Sequence, residues 1–198
     1  MLMTTDTVGG VWTYALELCR GMGEHGIRVV LATMGAKLLP HQRRELGGLE
    51  NVTCCESDFR LEWMAAPWMD VARAGEWLLE LEQRFSPDLI HLNGYAHAAL
   101  PWRAPRLVVG HSCVLSWWRA VKGCDAPAEW HVYEERVRIG LQAADLVAAP
   151  SRAMLDALIA HYGPFGSTQV IPNGRDPVEF VPGRKQPWVL SVGRLWDE

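Results

Sequence analysis

The fold is decided by the segment TDTVGGVW, residues 5–12, where a short apolar strand gives way to a glycine pair and then to an amphipathic helix. The glycine pair, Gly9 and Gly10, has two interpretations. Backbone amides at the start of a helix can hold an anion, and glycines let a phosphate or a sugar approach the backbone closely. Alternatively, a tight β-α turn needs glycine for its dihedral angles. The motif alone leaves both interpretations open.

Short apolar runs alternate with longer amphipathic runs along the chain, and this alternation is typical of β-α-β units. Most of the apolar runs are bounded by Gly, Pro, Asn or Asp. We therefore predict an α/β fold with a Rossmann-like, doubly wound parallel sheet and helices on both of its faces. The predicted strands are Met1–Thr4, Ile27–Thr33, Val52–Cys55, Leu89–Leu92, Leu107–Val109, Leu146–Ala149 and Gln169–Ile171.

Between the predicted strands, apolar residues recur at helical spacing and form three stripes that we expect to face the core. The last of these helices should begin after Ser151, whose hydroxyl can accept a hydrogen bond from a free backbone amide. The stripes are Val11, Ala15, Leu18 and Met22; Val71, Ala74, Leu78, Leu81 and Phe85; and Leu155, Leu158, Ile159 and Tyr162.

A second glycine pattern, residues 21–26, matches the dinucleotide fingerprint G-x-G-x-x-G letter for letter. That fingerprint must follow a strand and open a helix. Here it closes the first predicted helix and precedes the second predicted strand. We interpret it as a helix C-cap and turn, although a nicotinamide-dependent oxidoreductase would rely on it.

His111 follows the fifth predicted strand, which places it at the carboxyl edge of a parallel sheet, where open α/β sheets bind ligands. Its imidazole could donate to a sugar hydroxyl or support developing charge, or it could simply bond to nearby backbone. His91 and His97 are expected to be core or surface residues. Trp117 and Trp118 could stack on an acceptor sugar ring, or they could be packing residues.

Composition excludes several classes of function. The 198 residues carry a formal charge of -4, without the basic footprint of nucleic-acid binding. The sequence has no apolar run long enough to cross a membrane and no leader at Met1, so we expect a soluble, cytoplasmic protein. Five cysteines without C-x-x-C spacing indicate neither a disulfide framework nor a zinc site. No D-x-D pattern occurs, so no metal is expected.

The composition shifts after Ile171 to a segment rich in proline and glycine. We predict a domain over residues 1–172, an interdomain linker over 173–186, and the start of a second domain over 187–198. A strand beginning near Trp188 has no room to pair before the sequence stops. We therefore expect this chain to be a fragment whose C-terminal domain is supplied in cis or in trans.

The motifs taken in order resemble those of glycosyltransferase family 4, whose members have the GT-B fold of two Rossmann-like domains. The matching pieces are TDTVGGV at 5–11, GHS at 110–112, AADLVAAPSR at 143–152, VIPNG at 170–174 and VLSVGRL at 189–195. Each piece is unspecific alone, but their order and spacing are specific.

The resemblance implies roles for individual residues. Gly9 and Gly10 would lie over the donor diphosphate, and His111 would contact the donor sugar. Gly193 and Arg194 would belong to the donor site, with Arg194 binding the diphosphate and stabilising the leaving group. The lysine and the E-x7-E motif that the family carries further downstream do not occur before Glu198.

The activity implied for the full-length enzyme is retaining transfer of a sugar from a nucleotide-diphosphate donor to a hydroxyl of a carbohydrate or other acceptor. This chain alone is expected to be an incomplete portion that is inactive or weakly active. The nucleotide sugar would be a co-substrate, with no cofactor and no metal. Two alternatives stay open: a non-catalytic split subunit or docking domain, and the oxidoreductase described above.

Overall fold

A computed structural model describes residues 1–191 and shows one seven-stranded sheet in which every neighbouring pair is parallel, in the order β3-β2-β1-β4-β5-β6-β7. The predicted α/β fold class is confirmed, and each predicted strand is present. The strands are β1 Leu2–Asp6, β2 Val29–Met34, β3 Val52–Glu56, β4 Ile90–Leu92, β5 Arg106–Val109, β6 Leu146–Ala149 and β7 Ser167–Val170.

The three predicted helices form, and three α-helices that were not predicted join them. The α-helices are α1 Val11–Glu24, α2 Pro40–Gly47, α3 Trp68–Phe85, α4 Val114–Trp117, α5 His131–Ala143 and α6 Arg152–Tyr162. Ser151 caps α6 as expected, because its hydroxyl accepts from the amide of Met154 at 3.2 Å. Within residues 1–191, no helix is both long and apolar enough to cross a bilayer.

The helices cover both faces of the sheet, and alternate strand residues feed two separate cores. On one face, Met3 and Leu31 pack with residues of α1. On the other face, Leu2 and Ala32 pack with residues of α3, α5 and α6. This arrangement follows from right-handed crossovers, which put a helix on one face when the chain moves one way along the sheet and on the other when it returns. Ile159 is an exception to the predicted core stripes, since it is 37% exposed.

The G-x-G-x-x-G pattern lies at the C-terminal end of α1, away from the edge where parallel sheets bind ligands. Gly21 and Gly23 are inside the helix, and Gly26 forms the following turn with φ +71°. The turn agrees with the sequence interpretation, but the helix continues through Gly21 and Gly23 to Glu24. The amides of this segment therefore lie away from the carboxyl edge of the sheet, where a dinucleotide would bind.

The chain reverses direction across the sheet between β1 and β4, and this reversal positions the candidate site. From β1 it moves outward to β2 and β3, and then returns to place β4 on the other side of β1. The loops after β1 and β4 consequently leave in opposite directions and open a crevice at the carboxyl ends of the strands.

A close approach between α5 and the segment after β4 fixes one wall of this crevice. A 3₁₀ turn, Ala96–Ala99, follows β4, and Gly140 of α5 packs against it. A Cβ at Gly140 would lie 2.0 Å from the carbonyl oxygen of Tyr95. The neighbouring atoms are backbone and cannot swing aside, so only glycine fits.

We expect Gly140→Ala to lower the free energy of unfolding by about 2–4 kcal/mol, because α5 must move away from the 3₁₀ turn. Gly21→Ala in α1 is the matched control, since nothing lies within 4 Å of its Cβ position. That control should raise stability by roughly 0.5–1 kcal/mol. Urea unfolding monitored by circular dichroism measures both values. Equal midpoints for Gly140→Ala and the unmodified chain would contradict the packing argument.

Candidate functional site

A cleft with about 640 Å³ of space, its open mouth included, lies at the carboxyl ends of β1, β4 and β5. Clefts at a topological switch point are the usual ligand sites of open α/β sheets. Its floor comes from the strand ends and its outer wall from the loop between β3 and α3. The polar lining residues include Asp6, Asn93 and His111 on the floor and Arg60 and Glu62 in the wall.

The glycine loop after β1 is held by Asp6. One carboxylate oxygen, Oδ1, accepts from the amides of Val8 at 3.2 Å and Gly9 at 2.8 Å. Burial raises the pKa of Asp6, and the two amide hydrogen bonds partly offset that rise. The amide of Gly9 is therefore already engaged. An anion has to use the amides of the first turn of α1, where Gly10 offers no capping side chain and no acidic residue is present.

The backbone does not require glycine at either position of the pair. Neither residue is among those with positive φ, and Gly10 has φ −69° and ψ −15°, which any residue adopts. Nothing lies within 4 Å of a Cβ built on Gly10, and a Cβ on Gly9 meets only the Asp6 carboxylate, at 3.3 Å. The interpretation in which the turn needs glycine for its dihedral angles is therefore wrong, and the close approach of a ligand to these residues stays a prediction.

His111 is half-buried at the cleft and its ring is held on two sides. Nε2 lies 2.9 Å from Oδ1 of Asn93, and the ring of Tyr14 from α1 packs edge-on with the centroids 4.4 Å apart. Burial lowers the pKa of His111 to about 4. The ring is consequently neutral at pH 7, so any support for developing charge has to come from its dipole and lone pair.

Asn93, which the sequence analysis overlooked, connects His111 to His91. The Nε2 atom of His91 lies 3.3 Å from the same Oδ1 atom. His91 is buried, in agreement with the expected core role, and burial lowers its pKa to about 4. The signal that could have revealed Asn93 is its place immediately after β4, beside the end of β1. His97 is also buried, and its Nε2 contacts the carbonyl of Val71 at 2.9 Å.

Glu62 is the second residue that the sequence did not reveal. Its carboxylate is buried and accepts from the amide of Tyr95 at 3.0 Å and from that of Ala96 at 2.8 Å. Burial raises the pKa of Glu62, and the two amide hydrogen bonds offset part of this rise. The residue thus joins the loop after β3 to the start of the 3₁₀ turn. The loop around it has no periodicity that would identify a buried carboxylate.

The tryptophan pair lies outside the cleft. Trp117 ends α4 and Trp118 begins a short π-helical segment, and their rings pack edge to face at 5.7 Å. Nζ of Lys122 lies 5.6 Å from the centre of the Trp117 ring. Neither tryptophan is part of the cleft lining, so the structure does not bring them together with His111. Gly193 and Arg194 lie outside the described residues.

The two neutral histidines make stability depend on pH. Their folded pKa of about 4 is below the ordinary 6.5, so the unfolded chain binds more protons between these values. Stability contributed by each ring is therefore complete above 6.5 and is lost as the pH falls toward 4. The free energy of unfolding of the unmodified chain should fall between pH 7 and pH 4.5. We expect His91→Gln to make this fall smaller by on the order of 2 kcal/mol.

Urea unfolding at pH 7, 5.5 and 4.5 measures this effect. His41→Gln, at an exposed position of α2, is the control and should follow the unmodified chain at every pH. If His91→Gln lost as much stability on acidification as His41→Gln, the neutral state of His91 would be refuted.

Comparison with known proteins identifies the family and the fold. The sequence model of Glycosyltransferase Family 4 matches residues 8–179. A glycosyltransferase from Rickettsia africae ESF-5 has a TM-score of 0.61 at 16% identity, covering 91% of this chain and 46% of that one. Sucrose-phosphate synthase from Thermosynechococcus elongatus has a TM-score of 0.61 at 16% identity, covering 92% of this chain and 50% of that one. No curated protein matches the chain.

The chain spans about half the length of these two solved structures. At such low identity the structural likeness establishes the fold, and the family rests on the sequence model. That model covers most of the chain, including the glycine loop from Val8 onward and His111. The chain therefore belongs to Glycosyltransferase Family 4, and its described part has the Rossmann-like architecture of the GT-B enzymes.

Proposed function

We propose that this chain, with a C-terminal domain supplied in cis or in trans, transfers a sugar from a nucleotide-diphosphate donor to an acceptor hydroxyl, with retention of configuration at the anomeric carbon. Family membership supports glycosyl transfer. The donor class and the retention follow from the family resemblance of the motifs. We further propose that it acts in a reducing cytoplasm, where its five cysteines are free thiols.

One observation carries this proposal: the glycine loop and His111, both assigned to the donor by the resemblance, meet at the same sheet edge. Gly10 immediately precedes α1, and Tyr14 in the first turns of that helix packs against the ring of His111. Val11, the first residue of α1, and His111 both line the cleft, and Gly10 directly precedes Val11 without being a lining residue itself. A diphosphate at the first-turn amides of α1 would place its attached sugar toward His111.

The chemistry that we propose for this cleft uses charge stabilisation and no metal or resident cofactor. The amides at the start of α1 carry partial positive charge and would stabilise the departing diphosphate. Arg194, with Gly193 beside it, would supply the full positive charge. Residues 187–198 would begin the domain that holds the nucleotide, and residues 173–186 would connect it to the domain that ends at 172. The acceptor would enter between the strand ends and the loop that carries Glu62.

Gly10→Val tests whether the glycine loop serves the donor. A valine there meets no protein atom within 4 Å of its Cβ, so stability should stay within about 0.5 kcal/mol. Its side chain would occupy the space needed by the diphosphate, so we expect donor consumption to fall at least tenfold. Release of nucleoside diphosphate from UDP-, GDP- and ADP-sugars, with a panel of hydroxyl acceptors, measures the rate.

Gly47→Val is the matched control, because Gly47 ends α2 with equally open space and lies away from the cleft. Undiminished donor consumption by Gly10→Val would contradict the proposed donor site. A product with inverted anomeric configuration, seen by proton NMR, would refute retention.

His111→Ala and Arg194→Ala test the two proposed donor contacts. We expect each to lower the rate of transfer by about 100-fold, the size of effect seen when one charge-stabilising contact is removed from a transition state. Thermal unfolding should show that both variants remain folded. Rates equal to those of the unmodified protein in both variants would rule out these assignments.

A further inference from the structure

Asn93 is oriented by β1 and not by the histidines. Its backbone amide donates to the hydroxyl of Thr4 at 3.0 Å, and its side-chain Nδ2 donates to the carbonyl oxygen of Thr4 at 2.7 Å. A backbone carbonyl can only accept a hydrogen bond. The amide nitrogen of Asn93 must therefore face Thr4, which leaves Oδ1 facing the two imidazoles.

This orientation determines where the imidazole protons lie. Oδ1 has no hydrogen to give, so the ring nitrogens that bond to it must be donors. Those nitrogens are Nε2 of His111, at 2.9 Å, and Nε2 of His91, at 3.3 Å. A neutral imidazole carries one proton. With that proton on Nε2, Nδ1 of each ring is left with a lone pair.

The two lone pairs have different surroundings. Nδ1 of His91 is sealed from solvent and has no hydrogen-bond partner within residues 1–191. Nδ1 of His111 also bonds to none of those residues, but it is not among their buried unsatisfied atoms, so it is open to solvent. His111 lines the cleft. The polar atom that it offers there is therefore an acceptor.

We propose that Asn93 is a positioning residue that holds His111 in the Nε2–H tautomer, so that His111 recognises a substrate hydroxyl by accepting its hydrogen bond at Nδ1. The identity of the hydroxyl as one on a sugar rests on the proposed function; the tautomer does not. The arrangement selects for a group that donates, and it excludes a carbonyl or an ether oxygen from the same place.

The other polar groups near the His111 ring do not change its assigned Nε2–H tautomer. Tyr14 of α1 packs its ring against His111, and burial raises the pKa of Tyr14, so the phenol is neutral at pH 7. Asp6 and Glu62 line the same cleft, but their carboxylates accept from backbone amides of their own neighbourhoods. His111 has its hydrogen bond to Asn93 alone among the described residues.

Nitrogen NMR tests the proposal on this chain without any need for activity. Two-bond proton–nitrogen spectra distinguish a protonated ring nitrogen from one with a lone pair, and seven histidines give a spectrum that can be assigned. The signals missing from His111→Gln identify residue 111. At pH 7 we expect His111 to carry its proton on Nε2. A proton predominantly on Nδ1 in the unmodified chain overturns the proposal, whatever its transfer activity.

Asn93→Ala tests whether Asn93 is the cause. Loss of one hydrogen bond should shift the tautomer ratio of His111 about tenfold toward the Nδ1–H form. The matched control is Asn51→Ala, since Nδ2 of Asn51 also donates to backbone carbonyls, those of Cys19 and Ile27, and no hydrogen bond joins Asn51 to a histidine within residues 1–191. That control should leave the ratio unchanged. A ratio that is unchanged in Asn93→Ala, or shifted equally in Asn51→Ala, overturns the role of Asn93. If Asn93→Ala fails to fold, the unmodified spectrum still decides the tautomer.

Discussion

The hydrogen bond from the side chain of Asn93 to the carbonyl of Thr4 is the contact on which the cleft depends. β1 and β4 are paired over only two residues from each strand, and beyond them the loops leave the sheet in opposite directions. A gap must open there, because the direction in which the chain adds strands across the sheet reverses between β1 and β4. Asn93 bridges the gap with a side chain where the ladder has ended. The same amide then holds His111, so the width of the crevice and the position of the imidazole are set together.

The cleft lining in residues 1–191 combines one guanidinium, that of Arg60, with polar groups that are neutral or already hydrogen-bonded. The imidazole of His111 in the lining is neutral at pH 7, because burial lowers its pKa to about 4. The buried ring of His91, which contacts Asn93, is neutral for the same reason. The carboxylates of the cleft, Asp6 and Glu62, are occupied by backbone amides. Neutral donors and acceptors held in fixed positions suit a sugar, whose hydroxyls both donate and accept. The full positive charge that a diphosphate requires is proposed to come from Arg194, which follows the linker.

The sequence predicted the sheet better than the site, for a physical reason. Strand runs such as Leu146–Ala149 are short, apolar and bounded by turn residues, so local pattern suffices to find them. His111 could be proposed because it directly follows such a run. Glu62 could not, since its partners Tyr95 and Ala96 are more than 30 residues away and the intervening loop has no period. The helix α5 was overlooked although Tyr133, Val137 and Leu141 are spaced four residues apart and are buried.

Glycines that look alike in the sequence have different surroundings in the structure, and packing requires only some of them. Gly110 and Gly140 are demanded by packing, because an added Cβ would lie 2.5 Å from the Leu158 side chain in one case and 2.0 Å from the Tyr95 carbonyl in the other. Gly10 has an ordinary helical backbone and open space where its Cβ would be. Glycine is also a favoured residue at a helix N-cap, and Gly21 and Gly47, which lie away from the cleft, have equally open space. What distinguishes Gly10 from them is its position at the N-terminus of α1, where free backbone amides can bind an anion, and we propose that a bound anion uses this space.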